Sequence, residues 1–210
     1  MIMRVGKRVS VLVCVLVVAA LVGGGFSGTS QAQASPFVTI FSNLGTGNNV
    51  YNCCVGNTVS GSGSVVGDQW WNANAFTPAA DYLITRIDVA IGNVSPGGGT
   101  NGVTIQLATD SGGEPGTVLK TWNLTGLPVF GTCCTLDTIG TVVPILQGQQ
   151  YWLVAMPIAG DTWDAWNEAP TSGTGPVLSN ENGTGWISAG STQGGFDVVG
   201  ISCSVLCFHS

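Results

Sequence analysis

Six apolar residues in unbroken succession, Tyr151-Trp152-Leu153-Val154-Ala155-Met156, constrain this chain more than any other stretch. A polar turn, Gln147 to Gln150, leads into the run and Pro157 stops it. The run is short and bounded by turn residues, which predicts a strand covered on both faces rather than a helix. Such a strand lies in the middle of a sheet, inside a sandwich. The segment that follows, Asp161-Thr162-Trp163-Asp164-Ala165-Trp166, gathers aromatic rings and acids beside it.

Alternation supplies further strands. From Leu83 to Ile91 the set Leu83, Thr85, Ile87, Val89 and Ile91 points one way and Ile84, Arg86 and Asp88 the other, with the first set predicted as core. Val103, Ile105 and Leu107 alternate with Thr104 and Gln106. Pro96, several glycines and an Asn-Gly pair separate these two strands, which predicts a hairpin with a long loop. Asp110 to Gly116 enforces a turn before Val118 to Trp122. Shorter strands are expected at Phe37 to Phe41, Trp70 to Phe76, Cys133 to Ile139, Asp161 to Asn167, Gly185 to Ser188 and Phe196 to Ile201. No long helical pattern occurs after residue 34. The expected fold class is all-β, a single β-sandwich with jelly-roll ordering.

The first 34 residues stand apart from that domain. Arg4, Lys7 and Arg8 precede an apolar run from Val9 to Val22, and Ala32-Gln33-Ala34 fits the small-x-small cleavage rule. Residues 1–34 therefore read as a cleaved signal peptide and 35–210 as the folded domain. The apolar run falls short of the roughly 20 residues that span a bilayer, so no membrane insertion of the mature chain is expected. Cleavage leaves Arg86 and Lys120 against eleven acids. Two cations build no basic patch, which excludes nucleic acid and anionic membrane surfaces as partners. Charged residues make up only 8% of the chain, against roughly 25% in ordinary soluble domains. Gly, Ser, Thr, Asn and Gln must supply the wet surface, as suits a secreted or cell-surface β protein.

An ordered series of motifs carries a family resemblance. It runs Ala75-Phe-Thr-Pro78, Ile87-Asp-Val-Ala-Ile-Gly92, Thr109-Asp-Ser-Gly-Gly-Glu-Pro-Gly-Thr117, Gly126-Leu-Pro-Val-Phe-Gly-Thr-Cys-Cys134, Gly148-Gln-Gln-Tyr-Trp-Leu-Val154 and Asp161-Thr-Trp-Asp-Ala-Trp-Asn167. In this order the series resembles the choice-of-anchor R domain, a bacterial exported surface domain. The resemblance implies a β-sandwich on or near the cell surface with no agreed biochemical activity. The chain ends Ile201 to Ser210 without the hydrophobic tail such proteins usually carry, so a C-terminal anchor is not expected.

Cysteines are the candidate cross-links. After the signal there remain Cys53, Cys54, Cys133, Cys134, Cys203 and Cys207. An even number in an exported chain favours structural disulfides, whose connectivity the sequence leaves open. A zinc site is the alternative, although adjacent thiols do not match its usual ligand spacing. Adjacent cysteines bond to one another only with strain, because disulfides prefer a longer Cα separation. Long-range bridges between the Cys53-Cys54 and Cys133-Cys134 regions are therefore expected. Catalytic thiol chemistry lacks a base, since the single histidine is His209.

The same shortage of histidine, and the absence of nucleophile-elbow, zincin, Walker and dinucleotide motifs, point away from an enzyme. Glycoside hydrolysis needs only two carboxylates, for which Asp161, Asp164 and Glu168 are candidates. Trp163, Asp164 and Trp166 are the candidate ligand-binding set, because flat aromatic faces stack on sugar rings; core packing is the alternative for each tryptophan. Asp110 and Glu114 in the acidic turn are candidate Ca²⁺ ligands, with a plain β-turn as the alternative. The expected function is a non-catalytic, exported surface or matrix-associated interaction domain. Its partner would be an extracellular polysaccharide or a surface protein, and a carbohydrate-binding module is the second reading.

Overall fold

The computed structural model describes residues 37–94, 98–170 and 175–203, all within one compact unit, Ser35–Ser210. The signal expected over 1–34, its cleavage point and Cys207 lie outside the described residues. The domain is all β. One sheet has the order β1 (Phe37–Ser42), β13 (Phe196–Ser202), β4 (Tyr82–Val89) and β8 (Asp137–Ile145). The second runs β5 (Ile91–Asn93), β10 (Trp163–Asn167), β2 (Gly56–Ser60), β3 (Trp70–Phe76), β9 (Tyr151–Pro157), β6 (Gly102–Asp110) and β7 (Pro115–Thr125). Strand β11 (Val177–Glu181) also pairs with β3, and β12 (Trp186–Ser188) pairs with β11. Facing β1-β13-β4-β8 with β3-β9-β6-β7 is the winding of a jelly roll, and the remaining strands extend the second sheet on the β3 side.

Strand β9 lies between β3 and β6, antiparallel to both. Tyr151, Leu153 and Ala155 join the main core with Ile84, Ile87, Val103, Ile105, Phe196 and Val198. Trp152 and Val154 enter a second cluster with Ala73, Ala75 and Ala108, capped by Met156, Leu178 and Trp186. Both faces of the apolar run are thus covered, which is why its pattern is continuous rather than alternating.

Three expectations are corrected. The register of β4 against β13 slips at Thr85, which is the extra residue between the partners of Val199 and Gly200. This β-bulge reverses the facing of the residues before it: Ile84 is buried in the core, whereas Leu83, expected inside, is half-buried. The strands at Leu83 and Val103 also form no hairpin. The chain leaves the first sheet after Val89 and enters the second at Ile91, so the long Gly-rich loop belongs to a crossover. Strand β6 pairs instead with β7, through the turn expected at Asp110. The strand expected at Cys133 begins only at Asp137, which leaves both cysteines in the preceding turns.

Candidate functional site

Two of the three candidate ligand residues on β10 belong to the scaffold. Trp166 has no exposed surface, packs edge-on against Phe196 and donates its indole N–H to the Gly195 carbonyl at 3.0 Å. Gly194 lies flat against the Trp166 indole, where a Cβ would collide with the ring. Asp164 is equally buried. Its Oδ1 accepts from Asn93 Nδ2 at 2.8 Å and its Oδ2 from the Gly102 N–H at 3.1 Å. Loss of hydration pushes its carboxyl up to about 6 despite these two bonds. Burial thus corrects the expectation that Asp164 and Trp166 meet a ligand. Only Trp163 reaches the surface, beside a depression of about 170 Å³ that contains one acid, Asp161.

The carboxylates proposed for glycoside hydrolysis are not gathered on one open face. Asp161 is tied to Thr100, whose hydroxyl holds its carboxyl below the usual range. Asp164 is inside, and Glu168 lies beyond the far end of β10, where burial raises its carboxyl and Thr192 hydrogen-bonds it. Two other acids are also scaffold. Asp88 and Asp197 are cross-strand neighbours, with Arg86 bound to Asp88 at 2.8 Å. Burial and the adjacent Asp88 raise the Asp197 carboxyl.

Cys53 and Cys133 form a disulfide across 80 residues with Cα atoms 5.5 Å apart. Cys54 and Cys134 are free thiols, so each adjacent pair contributes one sulfur to the staple. Cys203 is also disulfide-bonded. Tyr51 and Ala90 pack with Cys53, and the Tyr51 hydroxyl accepts from the Thr135 N–H at 2.9 Å, fixing the turn around the bridge. The sulfurs of Cys53, Cys133 and Cys134 lie within 4.8 Å of one another. With two of the three consumed in the bridge, this group offers an ion only one thiolate.

The acidic turn is held by protein donors. Asp110 Oδ1 accepts from Trp152 Nε1 and Gln150 Nε2, both at 2.8 Å, and Oδ2 from the Gly113 N–H at 3.1 Å. These bonds, the one from Trp152 foremost, hold the Asp110 carboxyl below its ordinary value. Glu114 is exposed, and its backbone carbonyl accepts from the Ser111 N–H. Asp110→Ala orphans the indole N–H of a buried tryptophan, so a loss of about 2 kcal/mol is expected in thermal unfolding. Because Asp110 already has three donors, melting temperature is expected to be equal in calcium and in chelator. A calcium-dependent rise would show that the turn holds the ion after all.

A polar concavity lies elsewhere, where the second sheet forks. Strands β2 and β3 pair only at Ser60 and Trp70. On that edge of β3, β9 takes over from Asn72 to Phe76 and β2 diverges to pair with β10, while β11 covers the opposite edge along Trp70 to Asn74. The resulting cleft holds about 400 Å³ and is lined by Gly56, Asn57, Thr58, Val66, Trp70, Asn72, Ser179, Ala189 and Ser191. None of these side chains is charged. Asn72 donates its Nδ2 to the Thr58 carbonyl across the fork, and Asn57 donates to the Thr192 carbonyl at 3.1 Å. Both amides are therefore held in place. Trp70 is half-buried, and the Ser191 hydroxyl is buried with no hydrogen-bond partner. This arrangement can hydrogen-bond and stack; it contains no acid, base or nucleophile activated by a neighbour.

Sequence reasoning missed this cleft because its walls, Gly56–Ser60 and Val177–Glu181, are short and mostly polar. The one signal was the Trp70-Trp71 pair. Both rings are half-buried on opposite faces of β3, Trp71 against Trp186 and Trp70 in the cleft. No family model and no curated protein match the chain. The likeness to the choice-of-anchor R domain accordingly rests on its ordered motifs alone.

Proposed function

We propose that this protein is an exported, non-catalytic β-sandwich that acts as a binding domain at the bacterial surface or in the extracellular matrix. The observation that carries this reading is the forked-sheet cleft, a preorganised concavity whose lining has neutral polar groups and no ionisable one. Catalysis of hydrolysis needs a positioned acid or base at the substrate, whereas binding needs only complementary shape and partners. The long-range disulfide supports an oxidising compartment, as does the tripartite pattern of residues 1–34. Among the described residues no helix is long and apolar enough to cross a membrane.

Co-sedimentation of the purified protein with isolated bacterial envelopes and extracellular polymer tests the reading. Retention at physiological salt without release of reducing ends or peptides is expected, together with a mature N-terminus at Ser35. Failure to be retained, or steady product release by the pure protein, would overturn it.

A further inference from the structure

We propose that the cleft between β2 and β11 binds one neutral sugar unit of an extracellular glycan, with the Trp70 indole as its stacking face. This rests on the reading of the domain as a non-catalytic binder and names the ligand class of that same site. A sugar ring presents C–H groups on one face and hydroxyls around its rim. Its receptor therefore needs one aromatic plane and a ring of neutral donors and acceptors.

The cleft has these parts together. Trp70 forms no ring pair with another aromatic among the described residues. Asn57, Thr58, Asn72, Ser179 and Ser191 surround it with amides and hydroxyls. The asparagine amides are already anchored to backbone carbonyls, so little side-chain freedom is lost on binding. The Ser191 hydroxyl is buried without a partner. Such a group destabilises the empty fold and is satisfied when a ligand hydroxyl arrives. The volume, about 400 Å³, falls within the range of small-molecule sites.

Charge narrows the class. The chain carries a formal net charge of −6, and no cation lines the cleft, so uronic and sulfated sugars are repelled with nothing to hold their anionic groups. No carboxylate lines it either, which leaves an aminosugar ammonium without a counter-ion. A peptide would need apolar pockets for its anchors, and the lining supplies only Val66 and Ala189 beside the tryptophan.

Calorimetric titration of the purified protein with glucose, galactose, mannose, xylose and their short oligomers, and with galacturonate and adenosine as controls, decides the matter. Saturable binding of at least one neutral sugar is expected, with little response to either control. Trp70→Ala should weaken that binding at least tenfold. Ser191→Ala should weaken it several-fold with melting temperature unchanged or raised, because this hydroxyl has no partner to lose. Should Trp70→Ala fail to fold, Ser191→Ala still reads the site. Absence of neutral-sugar binding, preference for galacturonate or adenosine, or unchanged affinity in a folded Trp70→Ala or Ser191→Ala protein would overturn the proposal. If the sugars fail while co-sedimentation with envelopes persists, the ligand assignment falls and the binding-domain reading stands. If both fail, both fall.

Discussion

Replacing Cys53 and Cys133 together by serine is expected to destabilise the domain by about 4 kcal/mol and to lower its melting temperature by roughly 10 °C. The bridge closes a loop of 80 residues, and in the chain-entropy model the restriction of the unfolded state grows with loop length. The staple joins the chain before β2 to the turn before β8, elements of different sheets. Its loss therefore frees the long connection on which the sandwich closes. Cys133→Ser alone should cost less than the double change, because the Cys134 sulfur lies within 4.8 Å of that of Cys53 and can take over the bridge. Thermal unfolding read beside peptide mapping without reduction checks both statements. A double variant that melts with the wild type would show that the staple adds nothing.

Raising the pH from about 4 to about 7 is expected to lower stability, with Asp164 alone contributing on the order of 2 to 3 kcal/mol. Burial pushes the carboxyls of Asp164 and Asp137 up to about 6 and raises that of Asp197. One oxygen of Asp137 and one of Asp197 are buried without partners, as suits groups that prefer the neutral form. Between the ordinary carboxylate value near 4 and the folded value, the folded chain holds protons that the unfolded chain has released. Stability from these groups is therefore full below about pH 4 and is lost as pH rises through about 6. Asp137 and Asp197 are half-exposed, so solvent screening makes their share smaller. Asp110 and Asp161 are shifted downward and act in the opposite sense, losing stability as pH falls below the ordinary carboxylate range. A maximum in melting temperature near pH 4 to 5 follows. Asp164→Asn should flatten the decline toward neutral pH while weakening the fold, since one of its two donors then meets an amide N–H₂. A melting temperature that climbs steadily from pH 4 to 7 would contradict the assignment of these acids as buried.

What the sequence made legible was the part governed by local pattern. The apolar run at Tyr151 announced a strand with two covered faces because each of its side chains is buried among apolar neighbours or at a capped edge. The turn at Asp110 was legible because Ser-Gly-Gly-Glu-Pro-Gly admits little else. Phase was lost at Thr85, since a bulge inserts a residue that simple alternation does not anticipate, and Leu83 and Ile84 exchanged places. The sheet assignment of β4 and β6 was lost for another reason: a crossover and a hairpin use the same Gly-rich residues, and only long-range pairing separates them.

The candidate site shows the same division. Trp163, Asp164 and Trp166 drew attention because aromatic and acidic residues cluster in one segment, yet strand periodicity and a short Gly194 neighbour bury two of the three. The cleft is assembled from β2, β3, β11 and residues 189–191, distant in sequence and without a shared motif. Its defining property is a fork in the sheet, which arises because β9 takes the edge of β3 that β2 reaches only at Trp70, with β11 on the opposite edge. No window of sequence contains that arrangement. It also explains why the polar residues there have anchored amides and an unpartnered hydroxyl rather than a filled ladder.

Indole ¹H–¹⁵N correlation spectra recorded during titration with the neutral sugar test the central claim most directly, because all seven tryptophans of the chain report at once. The Trp70 signal, identified by its loss in Trp70→Phe, is expected to move with saturation while those of the buried Trp152 and Trp166 stay in place. Movement of Trp163 with a stationary Trp70, or no movement of any indole at sugar concentrations that saturate binding, would contradict a site in the forked-sheet cleft.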